Sequence, residues 1–239
     1  ALEGAEIHDG LGGKAFLVRR CISEVRGATT LSQRFGDCMA RDCSGLRHHL
    51  REDCALDPAG LDDMVFLDIE TAGLGSCSLF LVGLMMWTGN GLEAYQYLAR
   101  NYAEERAVIG LCREALAARG VLVTFNGKSF DLPFVRTRAR AMAVPFELSA
   151  AHFDLLHVCR RIWKDALPDC RLQTLEAHVC RRARFGDIPG ERIGEAYHAF
   201  VRTGDAREIV RIMEHNMLDL VTLADIMSRL PDPNESKAP

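Results

Sequence analysis

Two acidic residues two positions apart close an apolar run, Val65-Phe66-Leu67-Asp68-Ile69-Glu70, and are the first point where residue type and spacing suggest chemistry. Side chains alternate along a strand, so Asp68 and Glu70 share one face while Ile69 takes the other. Carboxylates that close repel each other without a cation. Hard divalent ions, Mg2+ or Mn2+, resolve the conflict because they take oxygen ligands and keep waters for a phosphate. A second acidic position follows the turn Phe125-Asn126-Gly127-Lys128-Ser129-Phe130, which delivers Asp131 to the opening turn of a helix, where a carboxylate also complements the helix dipole. The third is His215-Asn216-Met217-Leu218-Asp219. Residues four apart share a helix face, so His215 and Asp219 present together, and the apolar residues around them mark a segment where unpaired charge is costly.

The elements that must carry these side chains follow from periodicity. Met64–Asp68, Leu79–Trp87, Leu92–Leu98 and Val121–Phe125 have the length and composition of strands, and Gly89-Asn90-Gly91 makes a hairpin turn between the second and third. Helical spacing predicts helices over Ala103–Arg119, Phe130–Met142, Leu172–Arg182, Glu191–Val201 and Ala206–Arg229, with His152–Trp163 an extended piece running into another helix. Three strands in a meander, a crossover helix, then strand and helix imply an α/β layer fold. Residues 1–60 lack sustained periodicity and are expected to be a small N-terminal appendage with short helices; residues 61–230 form the main domain, and 231–239 a disordered tail.

Composition sets the outer limits. The 239 residues, 48% of them hydrophobic, can bury one substantial core, and no apolar run approaches the 18 or more residues of a membrane span. Residues 1–20 lack the pattern of a secretory leader. Nine scattered cysteines, an odd number, argue for a reducing cytoplasm rather than a disulfide framework. Cys38, Cys43, His48, His49 and Cys54 form the one grouping with zinc-binding residue types, though without a C-x-x-C pair. The net charge of −4 disfavours a polyanionic partner, yet arginines between Arg100 and Arg211, among them Arg160 and Arg161, suit phosphate contacts.

Taken together, Asp68, Glu70, Asp131, Asp219 and His215 resemble the DEDD exonuclease superfamily, with its D-x-E, N-to-F-D and Tyr- or His-headed aspartate motifs. Phe66-Leu67-Asp68-Ile69-Glu70-Thr71 with Gly73-Leu74, Phe125-Asn126-Gly127-Lys128 with Phe130-Asp131, and His152-Phe153-Asp154-Leu155 look like the YprB-like branch of the ribonuclease H-like families. The resemblance covers roughly residues 64–229. It implies a ribonuclease H-like mixed central sheet with flanking helices and a catalytic set of Asp68, Glu70, Asp131, Asp219 and His215. The four carboxylates would bind two Mg2+ or Mn2+ ions, and His215 would be the general base. The substrate would be DNA or RNA, contacted by Thr71, Asn126, Lys128, Arg160 and Arg161, and cut from its 3′ end to nucleoside monophosphates. A structure-specific endonuclease and a non-catalytic nucleic-acid-binding module are the alternatives. His215 precedes Asp219 by four positions, the spacing of the tyrosine-headed group rather than the histidine-headed one. Asp154 is expected to cap the following helix or to support the site from behind.

Overall fold

The computed structural model describes residues 3–40, 44–54, 63–73, 75, 77–117, 119–184 and 186–232. Seven strands form one sheet: β1 (Ala5–His8), β2 (Lys14–Cys21), β3 (Met64–Thr71), β4 (Leu79–Trp87), β5 (Leu92–Leu98), β6 (Val121–Thr124) and β7 (Ala151–Asp154). Their spatial order is β1-β2-β5-β4-β3-β6-β7. The sheet is antiparallel from β1 to β3 and parallel from β3 through β6 to β7. The fold is therefore α/β with a mixed central sheet, as the pattern of strands and helices implies.

Among the described residues, eight helices surround it: α1 (Leu31–Ala40), α2 (Ser44–Cys54), α3 (Glu105–Ala117), α4 (Asp131–Ala141), α5 (Leu155–Trp163), α6 (Leu172–His178), α7 (Gly190–Thr203) and α8 (Arg207–Met227). The two faces of β3 belong to different cores. Val65, Leu67 and Ile69 pack with α3, α4 and α7 on one side, whereas Met64 and Phe66 pack with α1, α2, α5 and α8 on the other. Alternation along the strand then assigns Asp68 and Glu70 to the α8 side. β4 is buried on both faces and reads as a continuous apolar run.

Two sequence expectations change. Residues 1–60 do form short helices, α1 and α2, but β1 and β2 extend the sheet by pairing with β5. Lys14–Cys21 shows no period-two alternation, because its two buried residues, Ala15 and Val18, are three apart. The helix expected over Leu172–Arg182 ends at His178, because Arg181 adopts φ 57° and turns the chain so that Arg182 and Arg184 reach back to Glu176. Among the cysteines, Cys112, Cys159 and Cys180 are buried free thiols and Cys38 is disulfide-bonded. Cys43, Leu74 and the tail 233–239 lie outside the described residues. Among those described, no helix is long and apolar enough to cross a membrane.

The packing of α3 against α4 depends on a buried ion pair. Glu105, 1% exposed, accepts from Arg138 Nε at 2.6 Å and Nη2 at 2.7 Å, and also from the Leu79 amide at 2.9 Å at the start of β4. Removing one partner of such a pair strands the other charge away from water. Glu105→Ala is expected to lower stability by about 3–5 kcal/mol, read as a shift in the urea midpoint at unchanged slope.

Candidate functional site

Asp68 and Glu70 stand near the end of β3's ladder, Asp68 opposite Gly83 and Glu70 opposite Leu81, and the register shifts after Glu70 so that Thr71 pairs with Leu79. Asp68 is partly exposed and Glu70 is 8% exposed. Asp131 reaches the same place from the first turn of α4. The turn before it is a built structure: Asn126 takes φ 64°, and Asp154 accepts from the amides of Asn126 (2.8 Å) and Lys128 (3.0 Å) while capping α5 through the Leu156 amide (3.1 Å). Gly127 is required there, since a Cβ would lie 2.3 Å from Thr124 Oγ1. Asp154 thus fastens the β6–α4 turn and caps a helix.

α8 supplies the third wall. His215 and Asp219 share its inward side, His215 Nε2 standing 3.4 Å from Asp219 Oδ2. Two residues not foreseen from the sequence complete this wall. Asp187 Oδ1 lies 2.7 Å from His215 Nδ1, and Arg184 donates through Nη2 to Asp219 Oδ1 while its Nη1 lies 3.3 Å from Asp187 Oδ2. Arg184 also donates through Nε to Glu176. Arg184 and Asp187 lie in an aperiodic stretch before Pro189, where no local pattern distinguishes a folded-back arm from a surface loop.

The electrostatics identify these carboxylates as one group. Burial raises the pKa of Asp68 well above the usual range, and Asp219, Glu70 and Asp131 push it further. Burial does the same to Glu70, helped by Asp219, Asp131 and Asp187 and opposed by Arg184. Asp131 is raised to about 7 by burial and by Asp154 and Asp219, against hydrogen bonds from the backbone at Asp131 and Ile69. Asp219 is raised by burial although Arg184 and His215 oppose it. Buried like charges at this density need cationic compensation.

The donors are not gathered around a single point. Among the described residues, the His, Cys, Asp and Glu donor atoms that all lie within 4.8 Å of one another belong to His48, His49 and Glu52 on α2. Arg161 intrudes on that trio, with Nη2 3.3 Å from His49 Nδ1 and 3.8 Å from Glu52 Oε2, so a guanidinium already serves those donors. No three of the four carboxylates bring donor atoms within 4.8 Å of one another, and Asp219 is drawn to Arg184. Their hard oxygen donors suit divalent cations better than the mixed imidazole set does.

The expected nucleic-acid contacts are dispersed. Asn126 and Lys128 are exposed on the turn beside Asp131, and so is Phe130, which is 36% exposed. Thr71 donates to Gly73 O at 2.9 Å, and Arg160 is exposed on α5. Arg161 forks onto Asp53 at 2.8 and 3.1 Å, joining α5 to α2. Several arginines of the expected basic strip are likewise consumed internally: Arg100 by Glu104 and Glu6, Arg138 by Glu105, Arg182 by Glu176, and Arg211 by Glu208.

A mixed sheet with carboxylates on the strand where its antiparallel and parallel parts meet, on the helix after the parallel neighbour and on the last helix is that of a ribonuclease H-like protein. The family described as RNase_H superfamily matches residues 65–231, and the chain belongs to it. It is 29% identical over 205 residues to the uncharacterized protein YprB of Bacillus subtilis (strain 168), a match that takes in 82% of this chain and 48% of YprB. The chain thus spans about half the length of that relative. Among solved structures, the family B DNA polymerase of the archaeon Pyrobaculum calidifontis superposes with a TM-score of 0.58 at 17% identity, over 70% of this chain and 24% of the polymerase, a likeness of fold.

An acid whose pKa is raised by folding holds more protons in the folded state than in the unfolded one. Its contribution to stability is therefore most favourable near pH 4 and declines as pH rises towards 7. In excess chelator, Asp131→Asn should flatten that decline and leave the protein more stable than wild type at pH 8 by roughly 1–3 kcal/mol. Chemical denaturation at pH 5 and pH 8 measures it; an equal pH dependence in both proteins would mean that Asp131 is not held in this environment.

Proposed function

We propose that the chain is a two-metal-ion 3′–5′ exonuclease acting on DNA or RNA, with Asp68, Glu70, Asp131 and Asp219 as cation ligands. The observation that carries this reading is the convergence of four carboxylates from β3, α4 and α8, with Asp219 and Asp131 both raising the pKa of Asp68 and Glu70. Membership of the RNase_H superfamily supports a nuclease, and the polymerase likeness fits a nucleic-acid substrate. Bound there, two divalent cations would lower the pKa of the attacking water and stabilise the leaving oxygen.

The chain's own residues supply the rest. Burial works against the Asp187 carboxylate, but the hydrogen bond and charge of His215, together with Arg184, hold its pKa below the usual value. An ionised carboxylate only accepts, so Asp187 places the proton on His215 Nδ1 and turns Nε2 towards Asp219 and the reaction site. His215 then takes the proton of the attacking water. Phe130, exposed next to Asp131, offers a ring face for a terminal base, and Lys128 an ammonium for a phosphate. Asn126 stands on the same turn as Lys128, whereas Thr71 is tied to Gly73, Arg160 is exposed on α5, and Arg161 would be free for a phosphate only by leaving Asp53.

One observation favours a second reading, a nucleic-acid-binding module without turnover: Arg184 already neutralises Asp219, which would otherwise be available to a cation. Incubation with 3′- and 5′-labelled DNA and RNA oligonucleotides in Mn2+ or Mg2+ separates the possibilities. Exonuclease action releases mononucleotides, an endonuclease gives internal fragments, and a binding module leaves the strand whole. Asp68→Asn should abolish cleavage without unfolding. His215→Ala should slow it about 10²–10⁴-fold while cation binding holds, and Asp187→Ala should slow it in the same direction. Wild-type turnover in both variants would make the Asp187–His215 pair a packing feature.

A further inference from the structure

A row of residues paired across the sheet lies beneath the site: Asp68 in β3 faces Gly83 in β4, and Gly83 faces Gln96 in β5. α8 crosses this row at Asn216. A Cβ on Gly83 would stand 2.1 Å from Asn216 Oδ1, so the absence of a side chain there is what admits the amide to the sheet. Gln96 and Asn216 are both fully buried. Gln96 Nε2 donates to the Met213 carbonyl at 2.8 Å and to Asn216 Oδ1 at 2.8 Å. Asn216 Nδ2 donates to Asp68 at its carbonyl (3.1 Å) and at carboxylate Oδ2 (2.8 Å).

These contacts have one direction. A main-chain carbonyl can only accept, so Met213 fixes which end of the Gln96 amide faces α8. That amide nitrogen in turn demands the oxygen of Asn216, and the nitrogen of Asn216 is left facing Asp68. Gln96 Oε1 is buried without a hydrogen-bond partner, so its donor end alone sets the orientation. Neither residue has a charge, and Gln96 does not touch the carboxylates.

We propose that Gln96 and Asn216 form an amide relay that orients the Asp68 carboxylate for cation binding, which makes both of them positioning residues of the site. The inference rests on the metal-site reading above. With one oxygen held from inside the fold, the carboxylate cannot rotate to relieve its repulsion from Glu70, Asp131 and Asp219. A cation then meets a prepared ligand, and the ordering cost falls on folding rather than on binding.

The test is Mn2+ binding in the absence of nucleic acid, by calorimetry or by the loss of the free-ion electron paramagnetic resonance signal. Asn216→Ala should weaken the tighter Mn2+ by roughly tenfold or more, and Gln96→Met, nearly the same size but without a donor, should weaken it in the same direction by a smaller factor. Leu223→Ala, two turns further along α8, should lower the melting temperature and leave the Mn2+ affinity alone. If wild type binds Mn2+ and both relay variants match it, the relay is overturned and the metal site stands. If wild type binds none, the metal reading falls and the relay with it. Wild-type protein provides an arm that no folding failure can remove: the Asn216 side-chain amide protons should exchange slowly with water and shift when Mg2+ is added. An Asn216 signal that exchanges freely or ignores Mg2+ overturns the proposal.

Discussion

Four carboxylates held close together away from bulk water repel one another, and each also loses hydration. The rest of the architecture can be understood as what prevents these groups from separating. Among the described residues β3 is the one strand with an antiparallel neighbour on one side and a parallel neighbour on the other, so the strand is anchored by both while Asp68 and Glu70 pair with β4. Asp131 cannot withdraw because Asp154 ties down the turn that leads into α4, and Gly127 packs that turn against Thr124. Asp219 is fixed by a 21-residue helix whose apolar side spans both cores.

Counter-charge is distributed unevenly over the four. Arg184 and His215 both stand against Asp219, and Asp187 ties those two together. Asp68 receives only a neutral amide, and Asp131 only backbone hydrogen bonds. Asp68 and Asp131 are therefore the more strongly starved of positive charge, since Arg184 also acts on Glu70. On the proposed reading, a first cation gains most there, and a second must share Asp219 with a guanidinium.

Much of this was legible in the sequence because it is local. The alternation at Asp68 and Glu70, the helix start at Asp131 and the four-residue spacing of His215 and Asp219 each need only one element, and the helices and strands from Met64 onward lie within a few residues of their expected bounds. What stayed hidden is relational. Gln96 appears as a polar residue in a hairpin strand, and Gly83 as a small residue in an apolar one; their meaning lies in a cross-strand register with Asp68 that no single segment displays. Arg184 and Asp187 are hidden for the same reason, being brought to α8 by a chain reversal at Arg181. The first fifty residues mislead in the opposite direction, because β1 is exposed along nearly its whole length and the two buried residues of β2, Ala15 and Val18, do not alternate.

The arginine count misleads as well, and the structure gives the reason. A chain of net charge −4 that keeps arginine as a polyanion contact must leave it unpaired, yet Arg100, Arg138, Arg161, Arg182, Arg184 and Arg211 are each engaged by a carboxylate of the same chain. Arg136, Arg140 and Arg160 remain exposed, on α4 and α5, the two helices that flank the turn bearing Asn126, Lys128 and Phe130. The opposite wall, around Asp187 and Arg184, is already occupied by its own ion pairs. The α4 and α5 side thus offers exposed positive charge next to an aromatic face, and on the proposed reading a strand would approach from that side.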